Sequence, residues 1–249
     1  MTLKDLYSLL DQWAPFATQE EFDNCGLLVG DPAQPIKKIG IALDITNPIV
    51  EKAAQSGVDV IVSHHPVIFH GLKQVTAENP VYRLIRANIG AIACHTNLDK
   101  AEGGVNTTLA SYYGLENISS PLCMEDLGRV GELRQPMSVE EYAKQIKQAV
   151  GAQGIRFYDA GIPVKRVAYV SGSGGSMLRQ AMSCEIDTFI TGDIKHDQFI
   201  EAENCGLNLI EVGHFDSENT VMEPLKTYLE KNTGLPVQVL SLQNPVQTR

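Results

Sequence analysis

The chain has 249 residues, 43% of them apolar, and its 30 acidic against 20 basic side chains leave a net charge of −10. That length allows one large domain or two small ones whose core needs no staples, while the acidic balance disfavours broad electrostatic binding to nucleic acid or to an anionic membrane. No uncharged apolar run approaches the ~18 residues of a membrane span, and the opening Met1–Tyr7 lacks a signal-peptide core, so a cytoplasmic protein without a membrane partner is expected.

In chain order, Thr2 stands where it can cap a helix carrying Leu3, Leu6, Leu9, Leu10 and Trp13 at helical spacing, and Pro15 stops that helix. A loop, Asp23–Gly30, leads past Pro32 and Pro35 into a strand over Ile39–Leu43. Asn47-Pro48 reads as a cap followed by proline at the first helical position, opening a helix to about Ser56 that Gly57 ends. Val58–Val62 is a short apolar strand of the kind a covered parallel sheet uses. Pro80–Asn88 reads as a helix and Ile89–Cys94 as a strand, and Asn106 as the cap of a helix to Tyr113. Alternating strand and helix is the α/β signature.

The second half runs through a similar order. Residues 37–65 lie over residues 165–193 at a constant offset of 128, with Lys37/Lys165, Ala53/Ala181 and Asp59/Asp187 identical. Between the halves, Ser138-x-x-Glu141 is a capping box opening a helix over Val139–Val150. The fold expected is α/β in two similar lobes, residues 1–121 and 122–249, packed closely enough to count as one domain. The five cysteines are odd in number and contain no C-x-x-C pair, which argues against a disulfide framework and a thiolate zinc site.

Of six histidines, His64, His65, His95 and His214 fall at the ends of predicted strands, where ligands of open α/β sheets bind. A single such histidine is well explained by a bond to a neighbouring carbonyl. His64-His65-Pro66 beside two His-x-x-x-acid segments, His95…Asp99 and His214…Glu218, favours metal instead. Where a strand ends before proline, adjacent imidazoles can turn into one cleft. Two ions about 3.5–4 Å apart can then take one imidazole each with a carboxylate bridging them. His64, His65, Asp99, His214 and Glu218 supply three imidazoles and two carboxylates, which suit Zn, Fe, Mn, Ni or Co over calcium, with Glu218 as the bridge. Asp193, Lys195 and His196, at the corresponding strand end of the second half, either contact substrate, bond to the ligands or are solvated. Asp44 is either a base or a turn residue. Ser171–Ser176, glycine-rich between strand and helix, is equally readable as an anion cradle or a tight turn.

The combination Asp23-Asn-x-Gly-Leu-x-Val-Gly30, Ser63-His-His-Pro66, His95-Thr-Asn-Leu-Asp-Lys-Ala101 with Gly103-Gly-Val-Asn106, Thr191-Gly-Asp193 and Gly213-His214…Glu218 resembles the Nif-three-like family, also labelled GTP cyclohydrolase I type 2, in its short bacterial form. The resemblance spans nearly the whole chain. It implies two similar α/β lobes, a dinuclear centre of two divalent ions held by His64, His65, Asp99, His214 and Glu218, and a toroidal homohexamer. It also implies a hydrolase acting on a small molecule such as a nucleotide. The competing functions are a non-enzymatic metal carrier or scaffold and a nucleic-acid-binding ring, against which the charge counts.

Overall fold

A computed structural model describes residues 1–124, 126–240 and 243–247; the side chain of Cys123 lies outside the described residues. Its strands, in chain order, are β1 (Gly26–Val29), β2 (Ile39–Ala42), β3 (Val60–Ser63), β4 (Gly90–Ala93), β5 (Glu116–Ser119), β6 (Arg129–Met137), β7 (Arg156–Tyr158), β8 (Val164–Tyr169), β9 (Thr188–Thr191), β10 (Asn208–Glu211) and β11 (Val237–Val239). They form two sheets, ordered β1-β4-β3-β2-β11 and β5-β6-β8-β9-β10-β7, so the mixed α/β expectation holds. The chain divides into two compact units: Met1–Gly104 with Val221–Gln243, and Val105–Thr220 with Asn244–Arg249.

In the first unit β2, β3, β4 and β11 run parallel, and β1 closes the edge antiparallel to β4. β2, β3 and β4 are buried throughout, as apolar strands covered on both faces must be. Ala42, Ile61 and Ala91 share a cluster with Val50 and Ala53 of the helix Asn47–Gln55 and with Val81 and Leu84 of the helix Pro80–Ala87. Those two helices therefore cover one face. On the other face Leu3 sits against Gly90, where an added Cβ would approach its side chain to 2.8 Å.

The second unit has β8, β9 and β10 parallel, flanked by antiparallel β6 and β7. Alternate residues serve opposite faces: Val167, Tyr169, Ile190 and Ile210 join Tyr142 and Ile146 of the helix Val139–Val150, whereas Ala168, Phe189 and Leu209 join Leu178, Ala181 and Ala202. The Cα registers Ile39–Val60 and Val167–Thr188 differ by the 128 residues counted in the sequence. One contact recurs with them. Asp59 accepts hydrogen bonds from the amides of Lys37 and Lys38, and Asp187 from those of Lys165 and Arg166.

Local signals placed most elements. Thr2 and Ser138 each form a full capping box, on Leu3–Trp13 and Val139–Val150. Two expected caps are corrected. Thr46, not Asn47, precedes the helix at Asn47–Gln55, because the Asn47 amide donates to the Glu78 carbonyl instead. Asn106 lies inside the helix Val105–Tyr112, its side-chain oxygen accepting from the Ser171 amide at 2.8 Å. Cys25, Cys94 and Cys205 are free thiols, while Cys184 is disulfide-bonded. Among the described residues no helix is long and apolar enough to cross a membrane.

Candidate metal centre

Each strand-end histidine sits just beyond a parallel strand. His64 and His65 follow β3 directly, where Pro66 ends the ladder, and His95 follows β4 and caps the short helix Thr96–Lys100. The two adjacent imidazoles do turn the same way: their ring centroids lie 5.0 Å apart, and His95 stands 5.1 and 5.4 Å from them. One possible ligand atom from each of these three rings falls within 4.8 Å of the others. Asp99, one helical turn after His95, is buried with an oxygen 3.7 Å from His64 Nε2. In the second unit His214 opens the helix His214–Glu218, so its Nε2 meets the Glu218 carboxylate at 3.1 Å across one turn.

Nδ1 of every one of these four imidazoles is held by an oxygen of the protein. His64 Nδ1 lies 2.9 Å from the Cys94 carbonyl and His65 Nδ1 2.8 Å from Asp44 Oδ1. His95 Nδ1 lies 2.9 Å from Asp23 Oδ1 and His214 Nδ1 2.6 Å from Asp193 Oδ2. In the neutral ring an acceptor at Nδ1 places the proton there and puts the lone pair on Nε2, the tautomer and orientation that a metal-binding histidine takes from its supporting bonds. Asp44, open between base and turn residue from the sequence, holds His65; Asp193 holds His214 and also accepts from Ser173 Oγ at 3.1 Å.

The electrostatics agree with a place for positive charge. Burial opposes charging His214, but Asp193 and Glu218 outweigh it and push its pKa up to about 10. The hydrogen bond from His214 is also the main reason Asp193 stays below the ordinary carboxylate range. Burial likewise opposes ionisation of Asp23, yet bonds from His95 and Thr96 hold it well below that range. Gly172, at φ +59°, makes room for the pair: a Cβ there would lie 2.1 Å from a Glu218 oxygen and 3.3 Å from His214 Nε2.

Other candidates separate from these groups. In the Ser171–Ser176 loop three amides are tied within the protein: Ser171 donates to Asn106, Gly172 to Ser217 Oγ and Gly174 to Thr191 Oγ1. Lys195 and His196 begin the helix His196–Cys205, where the Lys195 amide donates to Gln198. Cys94 is a buried thiol that desolvation pushes up, and burial raises Cys25 to about 12, so neither is a ready nucleophile. The sequence alone gives His95 no assigned role and does not mark Asp23 as its anchor; the Asp23-Asn24 signature is the one local signal of it.

The family model Duf34/NIF3 (NGG1p interacting factor 3) matches residues 1–245. The chain belongs to the DUF34/NIF3 family. Curated NIF3 relatives include a Clostridium perfringens protein named GTP cyclohydrolase 1 type 2 homolog, 34% identical over 89% of this chain and 88% of its own length. A Campylobacter jejuni protein of the same name is 32% identical over 99% of each chain. Among solved structures, a Staphylococcus aureus protein matches with a TM-score of 0.92 and 31% identity over 100% of this chain and 99% of that one. Reduced HcgD from Methanocaldococcus jannaschii matches with a TM-score of 0.86 and 30% identity, covering 97% and 98%.

Proposed function

We propose that this NIF3-family chain is a metal-dependent hydrolase in which His64, His65, Asp99, His214 and Glu218 hold two divalent cations as one dinuclear centre between two related lobes. The observation that carries the reading is the support behind the imidazoles: His64, His65 and His214 each present Nε2 with Nδ1 anchored on oxygen. The donor set, imidazole and carboxylate without thiolate, fits Zn, Fe, Mn, Ni or Co. The relatives' name, GTP cyclohydrolase 1 type 2 homolog, makes a nucleotide the substrate class to try first.

Two bound cations would supply Lewis acidity and a water nucleophile at neutral pH. The protein's own part is to orient and to balance charge. Asp44 and the Cys94 carbonyl set the planes of His65 and His64, and Asp193 sets that of His214. Glu218, buried and one turn from His214, would supply the anionic charge that offsets repulsion between neighbouring cations. The matching Asp59 and Asp187 contacts support reading the two units as related halves.

Elemental analysis of metal-reconstituted protein, followed by a panel of GTP, other nucleotides and phosphodiesters, tests the reading. About two ions per chain and metal-dependent turnover are expected. Glu218→Gln keeps the side chain's size but removes its charge, and should lose one ion and most turnover without unfolding. Both ions and full turnover in that variant would remove the bridging role, and turnover of no substrate by metal-loaded wild type would favour a metal carrier.

A further inference from the structure

Two phenylalanines stand in solvent where the first unit carries its imidazoles. Phe22 is 62% exposed and Phe69 37%. They belong to separate loops, yet their ring centroids lie 6.4 Å apart with 38° between planes. Phe69 and His95 also pack edge to face, 6.1 Å between centroids and 72° between planes, and His95 in turn borders His64 and His65. The rings thus run without a break from solvent to the donor group.

Neighbouring residues hold this arrangement in place. Asp23, next to Phe22, anchors His95 through Oδ1 and accepts from the Thr96 amide and hydroxyl through Oδ2. Asn24 donates to the Ile68 carbonyl at 2.6 Å, one residue before Phe69, so the two loops are tied beside their aromatic side chains. Burying these rings elsewhere would be hydrophobically favourable; held out in pairs beside polar imidazoles, they offer a π face with hydrogen-bonding groups at its edge.

We propose that Phe22, Phe69 and His95 form a subsite that stacks a planar heteroaromatic ring of the substrate beside His64 and His65. This rests on the hydrolase reading and names its substrate class. A flat ring laid on Phe69 gains stacking on its face, while the imidazole edge of His95 meets its polar rim. His95 takes this place as a ligand-contacting residue, and Asp23 fixes its plane.

The test is calorimetric titration of the full chain with guanosine, adenosine and nicotinamide, and with ribose 5-phosphate as a ring-free control, with and without added zinc. At least one of the aromatic probes binds more tightly than the control, and Phe69→Leu and Phe22→Leu each weaken it about tenfold. Phe69→Trp keeps the binding and adds an indole fluorescence that the probe quenches. Zinc content stays at the wild-type level in all three variants. No aromatic probe binding above the control, or unchanged affinity in both leucine variants, overturns the subsite. So does a fall in assembly mass in the leucine variants with probe binding intact, which would make the face a contact between copies of the chain. Aromatic binding that persists in a wild type taking up no zinc defeats the hydrolase reading alone.

Discussion

At the scale of single residues, carboxylates distant in sequence orient the imidazoles. Asp23 bonds His95, both Thr96 donors and the Cys25 thiol, so its carboxylate is ionised well into acid. Its folded pKa lies below the ordinary 3.8, so its contribution to stability is present above that value and is lost as pH falls through the folded one. Asp23→Asn should lower stability by about 1–3 kcal/mol at neutral pH. Denaturant melts from pH 7 down to about pH 2 should show the gap between wild type and variant narrowing at the acid end; a gap independent of pH would contradict the ion's role. Gly172→Ala makes a second case. Its Cβ would fall 2.1 Å from a Glu218 oxygen at a φ of +59°, so the carboxylate has to move. Metal uptake measured by dialysis should fall at least tenfold while circular dichroism keeps its native form, and unchanged uptake would show that Glu218 has another way to reach its position.

Among the elements, short strands and well-marked helices divide the labour. Strands β1 to β4 and β9 carry no charge, and the histidines lie in the turns that follow β3, β4 and β10, so the candidate site sits beyond the strand ends. Helix ends are set by local chemistry where one candidate dominates. Ser138 accepts from the Glu141 amide while Glu141 reaches back to the Ser138 amide and hydroxyl. Ser138→Ala should therefore cost about 1 kcal/mol, read as a lowered melting temperature, with metal content unchanged. Where several candidates compete, local order misleads. Thr46, Asn47 and Asn106 are all good capping types, and partners distant in sequence drew the two asparagines away.

For the molecule as a whole, the match to the NIF3 model over residues 1–245 and the near-complete coverage of solved relatives make one continuous family fold. We further propose the six-chain ring that the family resemblance implied. A closed ring of six forms either from one heterologous contact repeated around it or from two isologous contacts in alternation. Light scattering at micromolar concentration should return a mass near six chains; a stable single chain would refute it.

The amino-acid sequence by itself determined what depends on neighbours a few residues apart. The cap at Thr2, the capping box at Ser138 and the apolar runs at β2 to β4 are of that kind, as is the His214–Glu218 turn. It also supplied the candidate ligands, because imidazoles placed at strand ends are visible in one dimension. Only the tertiary structure decided which oxygen holds each imidazole. Asp23 lies 72 residues from His95, and Asp44 and Asp193 each lie 21 residues from the histidine they orient. The meeting of Phe22, Phe69 and His95 likewise joins three loops. Such contacts arise when parallel strands carry distant turns to the same end of a sheet, so no periodicity or local spacing records them.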